Sequence, residues 1–231
     1  MSNLAIITAR GGSKRIPKKN IKEFCGKPII AYAIEAAIAS KVFDEVMVST
    51  DSEEIAQIAK QYGAVVPFMR SAEAANDFTP TAKVIEEVVN EYRAIGKKFD
   101  RICCLYPTAP FITPERLFEA MHKLAETKAF SVVPVVRFSF PPQRGLVIKD
   151  EVLQFMHPEH TFTRSQDLEP VYHDAGQFYC LDTKAFMEKL SLFGDTTREL
   201  ILDEMEVQDI DTVTDWKLAE LKYRLLHEEN E

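Results

Sequence analysis

Short apolar runs set between helical patterns constrain this chain more than any other feature. "LAIITA", "DEVMVST", "DRICCLY" and "FSVVPVV" are too short for helices and are rich in Ile, Val or Cys. Such runs read as strands buried on both faces. The segments between them carry helical periodicity. "PIIAYAIEAAIAS" opens on Pro28, which suits a first turn, and its apolar residues cover most of the circumference. "DSEEIAQIAKQYG" offers Asp51 or Ser52 as N-cap, acids in the first turn and Gly63 at the end. "TPTAKVIEEVVNEYRAIG" and "TPERLFEAMHKLAE" read as further helices, and "AVVPF" as one more short strand. This alternation predicts an α/β fold: a mostly parallel sheet with helices on both faces. Ligands in such folds bind in the crevice beyond the carboxyl ends of the strands.

The rhythm changes near residue 137. "RFSFPPQRGLVIKDEVLQFM" carries prolines and short alternating runs, and "VIKDEVLQF" reads as a hairpin turning at Lys149–Asp150. Residues 138–175 are therefore expected to form a β-rich insertion within a single domain spanning 1–231. "GQFYCLD" reads as a strand returning to the sheet, and "TDWKLAELKYRLLHE" as a closing helix.

The loop after the first strand concentrates charge. "IITARGGSKRIPKKN" holds Arg10, Lys14, Arg15, Lys18 and Lys19 with no acid, in a chain whose net charge is -8. Gly11 and Gly12 permit backbone angles that other residues resist, so successive N–H groups can converge on an anion. Arg10, Lys14 and Lys19 can add charge-assisted bonds to phosphate oxygens. The spacing is neither a Walker loop nor a dinucleotide fingerprint. The acidic balance argues against a nucleic-acid surface, so the loop is a local device for a small anion.

No apolar run approaches the roughly 18 residues of a membrane span. The first residues, "MSNLAIITARGG", read as a strand rather than a leader, and a cytoplasmic location is expected. Cys25, Cys103, Cys104 and Cys180 form no CxxC pair and read as buried thiols. In "QDIDTVTDW", Asp209 and Asp211 share one side if the segment is extended. That arrangement suits Mg²⁺, which takes one or two carboxylates plus phosphate oxygens and water. Asp211 can equally serve as a cap for the helix that follows.

Several motifs carry a family resemblance. "ARGGSKRIPKKNI" resembles the N-terminal signature of the CMP-sialic acid synthetases, the acylneuraminate cytidylyltransferases. "RSAEAANDFTPT" is similar to that family's R-P-x-x-L-A-x-D, with Ser71 and Ala74 departing from it. "LYPTAPFITPERL" is similar to L-Q-P-T-S-P-x-R-x, with Tyr106 in place of a sugar-contacting glutamine and Ala109 in place of serine. "TRSQDLEPVYHDAGQFYCLD" is similar to R-x-Q-D-L-x-x-x-Y-x-x-N-G-A-x-Y. There Asp167 and Gly176 match, while His173, Asp174, Ala175 and Gln177 depart. With Tyr106, those departures resemble the branch that activates pseudaminic acid.

The resemblance implies a Rossmann-like fold of the nucleotide-diphosphosugar transferase type. It implies that CTP and a nonulosonic acid, most closely pseudaminate, give a CMP-sugar and diphosphate. CTP would be held by Arg10, Gly11, Gly12, Ser13, Lys14, Lys19, Asn20, Arg70, Asp77 and Thr79, with Arg15 and Lys18 peripheral. The sugar would meet Tyr106, Arg164, Gln166, Tyr172, His173, Asp174, Gln177 and Tyr179. Arg164 is the candidate for its carboxylate, which a guanidinium fits bidentately. Lys19, Asp209 and Asp211 would be catalytic, the two aspartates holding Mg²⁺. The insertion would form a homodimer and reach the partner's sugar pocket, with "FSFPP" as its apolar patch or as core of its own chain. The product would feed bacterial surface glycosylation, such as that of flagellin. The rival readings are a synthetase for N-acetylneuraminate or legionaminate, and a non-catalytic nucleotide or nucleotide-sugar binding protein.

Overall fold

In a computed structural model, which describes residues 1–76 and 78–228, helices and strands alternate along the chain. β1 (Asn3–Thr8) is followed by the basic loop, a short 3-10 turn and a small ribbon of β2 (Glu23–Phe24) and β3 (Lys27–Pro28). Then come α1 (Ile29–Ser40), β4 (Glu45–Ser49), α2 (Glu53–Gln61), α3 (Thr81–Ala94), β5 (Arg101–Leu105), α4 (Pro114–Thr127) and β6 (Ser131–Arg137). A hairpin of β7 (Leu146–Lys149) and β8 (Val152–Phe155) precedes β9 (Tyr172–Asp174) and β10 (Phe178–Asp182). The chain closes with α5 (Thr183–Lys189), β11 (Arg198–Leu202) and α6 (Val213–Glu228).

The central seven-stranded sheet runs β11-β6-β10-β5-β1-β4, with β9 paired to β6. β1 is parallel to β4 and β5, and β11 to β6, whereas β10 lies antiparallel between β5 and β6. Both faces are covered, as the continuous apolar runs require. Along β1, Ala5 and Ile7 pack beneath α1, α2 and α4, while Leu4 and Ile6 pack against α3 and α5. β5 repeats the alternation, with Cys103 and Leu105 on the first face and Ile102 and Cys104 on the second. A third cluster joins Phe24, Tyr32 and Phe111 to Ile210 and Trp216, which fastens the start of α6 beside the basic loop.

Local chemistry sets the ends of the helices. The Ser52 hydroxyl accepts the Ile55 N–H at the start of α2, and Thr113 accepts that of Arg116 at the start of α4. Pro28 precedes α1 rather than opening its first turn. Two further expectations fail. "AVVPF" contributes a single bridge, Val65 to Met47, because Val46–Ser49 already pairs with β1 and only the short Val65 stretch reaches its outer edge. The hairpin turns at Asp150–Glu151, one residue later than read, and both residues have positive φ. That geometry matches the right-handed twist of its strands. β11 was not foreseen: its buried residues are Leu200 and Leu202 alone, alternating with exposed ones, a weak signal in five residues. No helix among the described residues is long and apolar enough to cross a membrane.

Candidate active site

The basic loop is pinned at both ends. The Ala9 N–H bonds to the Ser49 carbonyl at 3.0 Å, and the Gly11 N–H donates to Asp51 Oδ1 at 2.8 Å. A Cβ on Gly11 would lie 3.2 Å from that of Ser52, so glycine permits close approach to the start of α2. Neither Gly11 nor Gly12 adopts a positive φ, and neither lines the cavity described below, which corrects the expectation of unusual backbone angles there. The buried Asn20 donates from Nδ2 to the Arg10 carbonyl at 2.8 Å and braces the loop from within. Lys18 points outward to Glu54 at 2.8 Å.

Beyond the carboxyl ends of β1 and β5 lies a cavity of about 260 Å³. The strand order turns around β1 at this point, the place where such sheets bind ligands. Its wall brings together Arg10, Ser13, Lys14, Lys19 and Asn20 from the loop, Arg70 and Thr79 from the segment before α3, Tyr106 after β5 and Asp211 before α6. Arg15 is also on the wall, against Asp211, and not peripheral. Asp77 lies outside the described residues. Thr8, Thr81 and Thr108 add hydroxyls that sequence reasoning missed. Thr8 ends β1, Thr81 opens α3 and Thr108 lies in the loop between β5 and α4, positions where threonine carries no distinctive local signal.

Among the described residues, Arg10, Lys14, Arg15, Lys19 and Arg70 share this wall with the carboxylate of Asp211. Arg70 is the most informative of them. It is 7% exposed, donates from Nε to Ser49 Oγ at 3.0 Å and from Nη2 to the Ser49 carbonyl at 2.7 Å. No carboxylate among the described residues forms an ion pair with it. Desolvation pushes its pKa down, but a guanidinium stays charged, so the site calls for an anion.

Asp211 does not cap α6. Thr212 and Asp215 form a reciprocal cap instead: the Thr212 N–H donates to Asp215 Oδ2 at 2.6 Å, and the Asp215 N–H to Thr212 Oγ1 at 3.2 Å. The Asp211 carboxylate is thereby left for the cavity. Ile210 is 1% exposed, between the exposed Asp209 and the half-buried Asp211, the alternation of an extended segment. Asp209 is not on the cavity wall, and no group of three His, Cys, Asp or Glu among the described residues forms a ready cation cage. Lys19 is anchored here: its Nζ donates to the Ile210 carbonyl at 2.6 Å and lies 3.5 Å from Asp211 Oδ1.

The residues expected at the sugar divide. Tyr106 lines the cavity, its hydroxyl 3.2 Å from Thr81 Oγ1 and its ring edge-on to Tyr179 at 5.6 Å. Behind it, the Tyr179 hydroxyl donates to Asp174 Oδ2 at 2.6 Å, and the Gly176 N–H holds the other oxygen at 2.8 Å. Burial raises the pKa of both phenols, and for Tyr179 the neighbouring Tyr106 and Asp174 add to it. Gln177 is 3% exposed and ties the Tyr106 N–H to its own carbonyl and its side-chain amide to the Glu206 carbonyl, so within this chain it is a brace. The His173 ring packs on Phe138, and Tyr172 is exposed on β9. Arg164 grips Asp167 through Nε at 2.7 Å and Nη2 at 3.1 Å, and Gln166 lies with it on the insertion, away from the cavity.

A family model described as cytidylyltransferase matches residues 4–208. The chain is 39% identical over 229 residues to a pseudaminic acid cytidylyltransferase of Campylobacter jejuni, covering 99% of each chain. It is 36% identical to a CMP-N,N'-diacetyllegionaminic acid synthase of Legionella pneumophila, covering 95% of each. Its fold is similar to that of a CMP:2-keto-3-deoxy-manno-octonic acid synthetase complexed with CTP, with a TM-score of 0.69 at 18% identity over 99% of this chain and 100% of that one. With the matching model spanning most of its length and full-length relatives at this identity, the chain belongs to the cytidylyltransferase family.

Proposed function

We propose that this chain transfers CMP from CTP to a nonulosonic acid, pseudaminic acid first among them, releasing diphosphate. The observation that carries the reading is the cavity wall, where Arg10, Lys14, Arg15, Lys19 and the buried Arg70 outnumber the acids among the described residues. Cations so arranged suit a triphosphate, and the family supplies cytosine as the base.

The anomeric hydroxyl attacks the α-phosphorus; its O–P bond forms as the α–β bridging P–O bond breaks, diphosphate leaves and the hydroxyl proton passes to water. The sugar keeps its own C–O bond. Little covalent chemistry falls to the protein, so positioning and charge neutralisation supply the rate. Lys19, held by the Ile210 carbonyl, and the loop cations neutralise the leaving diphosphate. Arg70 is fixed before the nucleotide arrives, by its two bonds to Ser49. Tyr106, backed by Tyr179 and Asp174, forms the cavity's side toward the sugar. Asp211 fits a hard divalent cation such as Mg²⁺, being an oxygen donor on the cavity wall beside the phosphate cations, with the exposed Asp209 two residues before it as a second donor from outside that wall. When bound there, the cation would neutralise phosphate charge and polarise an oxygen ligand.

The reading includes a homodimer. Phe140, Leu146, Ile148, Leu153 and Phe162 of the insertion are all exposed in this chain, which removes Phe140 from any core of its own and leaves an apolar surface for a second copy. Arg164 and Gln166 then serve the partner's sugar rather than their own. We place the reaction in the cytoplasm, where CTP is available, upstream of bacterial surface glycosylation. Diphosphate release, measured with CTP and each of pseudaminate, N,N'-diacetyllegionaminate and N-acetylneuraminate, tests the assignment. Turnover greatest with pseudaminate is expected. Turnover with N-acetylneuraminate alone contradicts the sugar, and tight CTP binding without turnover on any acid contradicts the reaction.

A further inference from the structure

Arg15 is one of the cavity's cations, yet here it occupies the carboxylate on which the cation site depends. Its Nη2 lies 2.8 Å from Asp211 Oδ1, and Lys19 Nζ lies 3.5 Å from the same oxygen. The Asp211 backbone is fixed, since its N–H bonds to Asp215 Oδ2 at 3.1 Å and Ile210 before it is buried. Arg15 is the adaptable partner: its side chain is 67% exposed and long enough to swing. A dication placed on Oδ1 in this arrangement meets two like charges at the same atom. No group of three His, Cys, Asp or Glu among the described residues forms a ready cage for it. A triphosphate changes both conditions. It offers Arg15 and Lys19 charge-assisted acceptors, which a guanidinium binds bidentately, and it brings oxygen ligands of its own.

We propose that Arg15 is a positioning residue that keeps Asp211 closed to divalent cations until a nucleoside triphosphate draws it away. The nucleotide then assembles the cation site rather than finding it ready. The proposal rests on the assignment of the cavity to CTP. It requires reciprocity: nucleotide and cation raise each other's affinity by the same factor.

The test uses Mn²⁺ alone as a paramagnetic probe, with free Mn²⁺ read by electron paramagnetic resonance and no nucleotide present. Removing one of two competing cations should tighten Mn²⁺ binding about tenfold in Arg15→Gln. Arg15→Lys should stay near wild type, and adding Asp211→Asn to Arg15→Gln should abolish the gain. Calorimetry with CTP in EDTA runs beside it and reads the cavity assignment separately. Equal Mn²⁺ affinity in wild type and Arg15→Gln, with CTP still bound in EDTA, overturns the proposal and leaves the cavity assignment standing. A gain that survives Asp211→Asn also overturns it, because the cation then sits elsewhere. Failure of wild-type protein to bind CTP in EDTA or with Mn²⁺ overturns the assignment beneath it.

Discussion

Replacing Arg70 with methionine separates a residue kept for the ligand from one kept for the fold. The change removes a guanidinium that is 7% exposed and has no carboxylate paired to it among the described residues. On the stability side, two effects oppose. The variant no longer desolvates a charge, which is worth several kcal/mol. It loses two hydrogen bonds to Ser49, each worth about 1.5–3 kcal/mol when one partner is charged. The net change in folding free energy should therefore stay within about 2 kcal/mol in either direction. On the ligand side nothing compensates. Loss of a charge-assisted phosphate contact should cost about 2–3 kcal/mol, or roughly 30- to 150-fold in CTP affinity. The assay is a thermal melt with and without CTP at 100 times the wild-type Kd. Wild-type protein gains about 2.7 kcal/mol under that condition, and the variant should gain less than about 1 kcal/mol. For a chain of this size that is a melting shift of about 5–10 °C against about 1–3 °C. A variant destabilised by more than about 4 kcal/mol with CTP affinity intact would refute the reasoning, since Arg70 would then be structural.

The layer behind Tyr106 predicts that Asp174→Asn, which weakens the Tyr179 bond, raises KM for the sugar acid about 5- to 20-fold with little change in KM for CTP; equal changes in both would place the pair elsewhere. The Arg116–Glu206 pair joins α4 to the segment leading to Asp211, with Nε–Oε1 at 2.9 Å and Nη2–Oε2 at 2.8 Å. The bond from Arg116 holds the Glu206 pKa below its ordinary value of 4.5, so its stabilisation is present above that pH and lost as pH falls through the lowered value. Arg116→Gln should lower stability by about 1–2 kcal/mol at pH 7 and flatten the melting curve's dependence on pH below 4.5; an unchanged acid limb contradicts this. Ile148→Glu on the exposed hairpin should shift sedimentation from dimer to monomer while the far-ultraviolet spectrum is kept, and a wild-type monomer at micromolar concentration would contradict the dimer.

Much of this arrangement was legible in the sequence because its causes are local. Continuous Ile, Val and Cys runs record strands covered on both faces, and β1, β4, β5 and β6 follow from them. The loop's charge, set against an acidic chain, marked a candidate anion site, and Arg10, Lys14, Lys19 and Arg70 do share one cavity wall. What escaped depends on partners distant in the chain. Arg15 looked peripheral because its partner, Asp211, arrives from just before α6. The cap of α6 passed to Thr212 and Asp215, a choice between neighbouring residues that backbone geometry settles and composition does not. Gly11 serves close approach to Ser52, which only the packed structure reveals. Gln177 looked like a ligand contact, yet its main-chain carbonyl and its side-chain Nε2 brace neighbouring segments. The insertion's residues gave a correct hairpin with its turn displaced by one position, since alternating runs fix strands better than their ends.

Crystals grown with CTP test the central claim most directly. The account predicts the triphosphate within hydrogen-bonding distance of Lys19 and Arg70, with the base toward Ala74 and Thr79 on the cavity wall. A nucleotide bound clear of that wall, with Arg70 still holding only Ser49, would contradict it.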